Sequence, residues 1–475
     1  MKPFLISIIE FKIYQLPIAI WLLVVASVYL TIKLRFINFR MIPNAYFALV
    51  KDTEKAVSKE DKKQKMSPLK AFFIQISATL GLGNISGSVF ALYTGGPGVI
   101  LWIIILAPLF SIVRFNEIIL GQVYKQKNKK TGKMVGNLAF ILSKGFSNKY
   151  VKVTGLIWGG IYSIIMIFNV SIWSGFQLNQ SIASLTNSTG IFNKNSNSIA
   201  LFPTILTIIM LCLVFFLLNG GIKRIANAMQ TMISAMITIY FLLFVWTLVA
   251  KYSCVPSVLR LIFQSAFNFK AVTGGAITAI LVGANRLVLA AEIGIGTGCI
   301  PYASFTEKYF AKQAFFGLIE TVLVAFMISI GAIMLLLLGA DINSVAPNDI
   351  GINLTKNLVS NGLGVIPNIA LLITVFCFSF TTLVGNGYYI DTMIRFFFPN
   401  IKTFFVMFVY ILTSAVLSAI NAFSLISIID ILLHIVILLN LVTIASFAKV
   451  SQSHLDKYLY RIKTFKKDVN KGVSK

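Results

Sequence analysis

Eleven stretches of mostly apolar residues, each bounded by charges or by Gly, Pro and Asn clusters, recur along the 475-residue chain. A hydrocarbon core ~30 Å thick is crossed by roughly 20 helical residues, and inside it every backbone N–H and C=O must find its partner within the protein. The stretches run at about 14–34, 70–94, 97–120, 151–178, 199–218, 225–250, 271–296, 311–339, 365–390, 401–421 and 424–448. With 57% hydrophobic residues, 12% charged and a mean hydropathy of +0.86, composition excludes a soluble multidomain protein and a disordered chain. An all-α integral membrane protein with 11 transmembrane helices is expected.

Loop charge orients the spans, because Lys and Arg accumulate on the cytoplasmic side and one missed span would scramble the alternation. Placing the N-terminus outside puts 32 basic residues in cytoplasmic segments and 7 outside, with Arg114 and Arg286 inside spans, which accounts for all 41. A multi-pass protein of the cell (inner) membrane with a cytoplasmic C-terminus follows. The net charge of +26 then speaks for topology and not for nucleic acid. The first span ends in Lys33, Arg35 and Arg40 rather than at a small-residue cleavage site, which marks a retained helix. The run Lys51–Lys65 mixes six lysines with four acids and reads as a solvated cytoplasmic helix, with a regulatory or anionic-lipid contact as the other reading. Residues 1–450 form one transmembrane domain, and 451–475 form a basic cytoplasmic tail without chemistry of its own. Cys212, Cys254, Cys299 and Cys377 lack any C-x-x-C spacing and suggest neither zinc nor obligatory disulfides.

Span two contains Gly81-Leu82-Gly83-Asn84-Ile85-Ser86-Gly87, where a helix can unwind. A break at that depth is tolerable only beside a buried polar cavity, since each stranded backbone group costs several kcal/mol in lipid. Broken ends are useful: N–H groups at a half-helix start suit a carboxylate, and freed carbonyls suit Na⁺. The competing reading is a close packing face at Gly83-x-x-x-Gly87. Span seven carries Gly274, Gly275, Gly283, Gly294, Gly296 and Gly298, and lies five spans after span two. An odd separation inverts orientation, so spans within 70–250 and within 271–448 can be two five-helix halves of inverted topology, each opening with a breakable helix.

Several ordered segments resemble the sodium:alanine (amino acid:cation) symporter family. They are Leu34-Arg35-Phe36-Ile37-Asn38-Phe39-Arg40, Gly83-Asn84-Ile85 with Gly95-Gly96-Pro97-Gly98, Gly220-Gly221-Ile222-Lys223-Arg224-Ile225, Glu292 with Gly294 and Gly296, and Phe380-Thr381-Thr382 with Tyr388-Tyr389. The resemblance spans about residues 15–450. It implies a leucine-transporter-type 5+5 inverted repeat preceded by one extra N-terminal helix. It also implies sodium-coupled symport of a small amino acid such as alanine or glycine. The motifs depart from the family where they line its pocket: Gly81-Leu82-Gly83-Asn84 replaces Gly-Thr-Gly-Asn, Ala290-Ala291 replaces Ser-Asn, Leu178-Asn179-Gln180-Ser181 replaces Gln-Ala-Asn-Ser, and Asn386 replaces Trp. An amide in place of an indole frees volume and adds polarity, which points to a larger polar amino acid.

On this reading Gly83, Asn84, Ile85 and Ser86 hold the carboxylate, carbonyls at both breaks hold the amino group, and Phe176, Gln177, Gln180 and Asn386 form side-chain walls. Thr381 and Thr382 with carbonyls near Gly81 complete an oxygen shell for Na⁺, the coupling ion; the alternative is that both hydroxyls bond to their own helix. Arg286 and Glu292 should pair, either as a gate or as a static pair, and Arg114 with Glu117 reads as a static pair. His434 with Asp430 reads as a buried structural histidine, with a proton relay as the other possibility. Nothing forms a nucleophile, phosphate or metal constellation beyond sodium, so neither an enzyme nor a cofactor is expected. The rival readings are a different solute on the same fold and a non-transporting membrane receptor or scaffold.

Overall fold

The computed structural model describes residues 12–13, 16–40, 68–127, 134–145, 149–186, 198–268, 275–304, 309–340, 351–420 and 422–470; the Lys51–Lys65 run lies outside them. The first apolar stretch forms α1 (Ile18–Lys33). The second is bent: α2 (Pro68–Thr79) and α3 (Leu82–Gly95) meet at 50° across Leu80 and Gly81. Gly96, at φ 69°, ends α3 with its N–H on Leu92 O, a left-handed stop that glycine takes without steric cost. Then follow α4 (Val99–Tyr124), the short α5 (Leu138–Gly145), the long α6 (Lys149–Thr186), α7 (Ser198–Asn219) and α8 (Ile222–Ala250). An amphipathic α9 (Val255–Ala266) leads to α10 (Gly275–Ala290) and, after an irregular turn, to the one-turn α11 (Ile300–Ala303). The chain ends with α12 (Phe310–Leu337), the short α13 (Ile352–Leu363), α14 (Val365–Phe397), α15 (Thr403–Leu417), α16 (Ala422–Ser446) and α17 (Ala448–Asn470). Two small antiparallel strand pairs, Lys12–Ile13 with Leu16–Pro17 and Gln126–Lys127 with Met134–Val135, are the strands among the described residues.

Six helices, α4, α6, α8, α12, α14 and α16, are long and apolar enough to cross a membrane, and the bent α2–α3 pair makes a seventh. The other four expected stretches fall on the shorter apolar helices α1, α7, α10 and α15. Large apolar side chains stand exposed on these helices, among them Phe168, Phe216, Val249, Phe404, Phe408 and Val442, as a lipid-facing surface requires.

Two packing groups enclose the centre. In one, α4 packs against α12 and α10, while α3 packs against the same two helices. In the other, α6 carries α14, α15, α16 and α5. The groups meet where α14 packs on α2 and α16 runs beside α4.

Three expectations change. The break in span two is confined to Leu80 and Gly81, and Gly83 through Gly87 are helical, because side chains already satisfy the backbone freed at the bend. Span seven stops at Ala290, not 296: Glu292, Gly294 and Gly296 have φ of 50°, 77° and 82°, which no α-helix accommodates. The tail is also more than a basic end. Leu455, Tyr458 and Ile462 recur on one helical face and are buried as α17 packs against α12 and α4.

Candidate functional site

The bend between α2 and α3 is held by side chains from two other elements and by Asn84. Leu82 donates its N–H to Gln177 Oε1 at 2.9 Å. Thr382 Oγ1 donates to Leu80 O at 3.2 Å. Asn84 Nδ2 reaches back to Thr79 O at 2.9 Å and Gly81 O at 3.2 Å, and Asn84 N also donates to Gly81 O, at 2.9 Å. Gly81 is required by this crowding: a Cβ there would stand 2.6 Å from both Gln177 Nε2 and Thr382 Oγ1. Gln180 Oε1 is 3.4 Å from Ser86 Oγ and 3.5 Å from Ile352 N, so it joins α3 to the start of α13.

Beside the bend lies a cavity of about 790 Å³ when the solvent space at its mouth is counted. Gly83, Ser86 and Phe90 of α3 form one wall, and Trp173 and Phe176 of α6, stacked at 5.3 Å, form another. Asn386 of α14 faces it, as do Arg286, Glu292 and Asp430. Of the predicted solute contacts, Gly83, Ser86, Phe176 and Asn386 line this space. Asn84, Ile85, Gln177 and Gln180 are buried and do not line it, the three polar ones being occupied at the bend or at α13. Leu82 is buried with its N–H already bonded to Gln177.

The two threonines part company. Thr382 sits at the bend, whereas Thr381 Oγ1 donates to its own helix at Cys377 O, 2.8 Å away, and Phe378 O, 3.2 Å away. The oxygens gathered beside Gly81 are thus Thr382 Oγ1 and Leu80 O, a hard-donor set that suits Na⁺. Gln177 turns its Nε2, without a partner, toward the same place, so it adds no oxygen there.

Arg286 and Glu292 both line the cavity but do not pair: among the described residues no ion pair within 4 Å joins them. Arg286 stands 5.3 Å from the Phe90 ring centroid, and Asp430 is the carboxylate whose charge acts on it. Glu292 accepts from Thr297 Oγ1 at 2.7 Å, inside the irregular turn that follows α10. Six residues apart, Arg286 and Glu292 would not share a face even on a continuous helix, and Glu292 lies beyond the end of α10. His434, one turn after Asp430, is buried on α16 without lining the cavity.

Sequence reasoning gave Asp430 too little weight and passed over Glu320, Phe90 and Trp173. The two acids carried a signal, since each interrupts a long apolar helix. Glu320 completes a buried cluster. Arg114 Nη1 lies 3.3 Å from Glu117 Oε2, its Nη2 lies 3.5 Å from Glu320 Oε1, and the same Nη2 donates to Ala291 O. Glu117 Oε1 accepts from Gly296 N at 3.0 Å and Asn440 Nδ2 at 2.6 Å. Both ends of the turn after α10 are therefore tied to α4.

Over residues 3–472 the chain matches the sodium:alanine symporter family. It is similar to the amino-acid carrier protein AlsT of Bacillus subtilis (strain 168), 27% identical over 91% of this chain and 87% of that one. It is 28% identical to the probable sodium/glutamine symporter GlnT of the same organism, over 95% and 91% of the two chains. Sodium/alanine symporter AgcS of Methanococcus maripaludis is 25% identical over 78% of this chain and 79% of that one.

Proposed function

The chain belongs to the sodium:alanine symporter family, and from this premise we propose that it carries an amino acid inward with Na⁺ by alternating access. It is an integral membrane protein and a sodium-coupled amino-acid symporter by membership. The finer reading is eleven crossings in a leucine-transporter-type 5+5 inverted repeat behind one extra helix, with the N-terminus outside. The 32 to 7 basic split and the two broken helices support it.

The observation that carries the proposal is the cavity at the α2–α3 bend, lined by the first turns of α3 and by Asn386. The start of α3 presents partial positive charge to a substrate carboxylate, with Gly83 and Ser86 facing the space. Phe90, Trp173 and Phe176 exclude water around it. Glu292 and Asp430 supply negative charge for the amino group, and Arg286 keeps the cavity from becoming strongly anionic. Thr382, with the carbonyl of Leu80 and the backbone at Gly81, is the proposed Na⁺ site, and Thr381 joins it once its hydroxyl turns from its own helix. Arg286 and Glu292 remain the proposed gate, with Asp430 added as the partner that Arg286 reaches for when the outer path closes.

The cargo we propose is a polar amino acid larger than alanine, since Asn386 stands where the family resemblance expects an indole and leaves room beside the cavity. Uptake into proteoliposomes under an imposed Na⁺ gradient, across a panel of amino acids, tests the whole reading. Accumulation that needs inward Na⁺ and favours polar side chains is expected. Binding without gradient-driven uptake would instead make the chain a receptor.

A further inference from the structure

The amide at residue 386 is held in one orientation. Asn386 Nδ2 donates to Ser174 Oγ at 2.9 Å, and Ser174 Oγ lies 2.8 Å from Tyr410 OH. Each hydroxyl also has a carbonyl in reach: Val170 O is 2.8 Å from Ser174 Oγ, and Leu383 O is 2.8 Å from Tyr410 OH. If Tyr410 donates to Leu383 O, Ser174 must supply the proton between the two hydroxyls. If Tyr410 donates to Ser174, the serine proton goes to Val170 O. In both arrangements Ser174 meets Asn386 with a lone pair, so the amide turns its N–H to the serine and keeps its carbonyl oxygen for something else. That oxygen, Oδ1, is buried without a hydrogen-bond partner, on a residue that lines the cavity. Neither Ser174 nor Tyr410 lines it.

We infer that Ser174 and Tyr410 are positioning residues that present Asn386 to the solute as a hydrogen-bond acceptor, selecting amino acids whose side chain ends in an N–H donor, the carboxamides, over acidic and apolar ones of equal size. This deepens the symport reading and rests on it for the identity of the cavity. A carboxamide gives its N–H to Asn386 Oδ1 and offers its own carbonyl to the remaining donors of the cavity. A carboxylate of the same shape sets oxygen against oxygen, in a space that already carries Glu292 and Asp430 against the single cation Arg286. A thioether or alkyl chain leaves Oδ1 buried and unpaired, which is how a polar site rejects an isostere lacking the donor.

Binding to the full-length protein in detergent with Na⁺ is titrated with glutamine, glutamate and methionine, and the same three compete for uptake in proteoliposomes. Glutamine is expected to bind at least about tenfold more tightly than either of the others, the scale of one buried hydrogen bond left unmade. Ser174→Ala frees the amide to turn and present its N–H₂, so the glutamine to glutamate ratio should fall to within about threefold. Tyr410→Phe removes one of the two groups that hold the serine proton away from the amide and should move the ratio the same way by a smaller factor, which keeps the test open if Ser174→Ala folds poorly. General loosening of the site would weaken all three ligands together and leave their ratios unchanged, so unchanged ratios in the folded variants overturn the inference. A wild type that prefers glutamate, or that accumulates alanine with Na⁺ while ignoring glutamine, also overturns it and leaves symport standing. Intact glutamine selectivity in binding with no Na⁺-driven uptake of any amino acid would instead sink the symport reading and uphold this one.

Discussion

Thr382 and Thr381 are neighbours in sequence with different tasks open to them. Thr382 Oγ1 already meets Leu80 O across two helices, while Thr381 Oγ1 is bonded twice within its own helix. Thr382→Ala should therefore raise the Na⁺ concentration for half-maximal uptake about tenfold, the weight of one lost oxygen ligand, and Thr381→Ala should raise it less. Both should leave solute affinity at saturating Na⁺ nearly as it was. Uptake measured against Na⁺ at fixed solute checks this, and equal effects of the two substitutions would mean that the present hydroxyl geometry does not describe the ion-bound site. At this scale residue type was legible and direction was not. Asn84 reads as a solute contact within the segment whose N–H groups suit a carboxylate, and Gln177 as a side-chain wall, yet the amide of each serves the backbone freed at the bend. A bend's carbonyls compete for the same groups, and only the path of the chain shows which demand is met.

The helix elements carry two further consequences. The turn after α10 is clamped to α4 by Arg114 and Glu117, and these charges are fully enclosed among apolar helices. Glu117→Ala leaves Arg114 with Glu320 as its carboxylate partner and strands the buried Gly296 N–H and Asn440 amide without their acceptor, so stability should fall by about 3–5 kcal/mol. Glu292→Ala should cost less, since among the described residues that carboxylate's hydrogen bond is to Thr297 in its own turn. Thermal unfolding of the two variants in detergent ranks them. The tail helix α17 gives a pH prediction. Burial first, and the charge of Lys457 second, hold the His454 imidazole below its ordinary value, with the Phe310 ring 5.0 Å away. Undocked, that imidazole takes up its proton near pH ~6.5, so docking is at full strength above this pH and weakens as pH falls through it. Protection of the α17 amides, taken relative to intrinsic exchange at each pH, should fall as pH is lowered from 7.5 to about 5.5, and His454→Gln should abolish the change. The amphipathic spacing of Leu455, Tyr458 and Ile462 was present in the sequence, but its basic charge dominated the reading of that segment.

For the whole molecule, the bilayer makes the sequence unusually readable, because each crossing must be apolar for about 20 residues and each loop must declare a side. All eleven expected stretches coincide with helices, whereas helix ends and breaks shifted: glycine permits unwinding without dictating it, and Gly83 and Gly87 proved helical. Orientation rests on loop charge, and the chain contains its own probe. Cys254 lies in the short 3₁₀ turn between α8 and α9, on the side proposed to be external, and is partly exposed. Ser453 is exposed on α17, on the side proposed to be cytoplasmic. In intact cells an impermeant maleimide should label Cys254, and Cys254→Ser should remove that label. Ser453→Cys, made in the Cys254→Ser background, should react only after the membrane is permeabilised. The two sites are separated by five of the proposed crossings, α10, α12, α14, α15 and α16, an odd number that must place them on opposite sides. Reaction of both in intact cells would remove one crossing from the second half, and with it the inverted repeat.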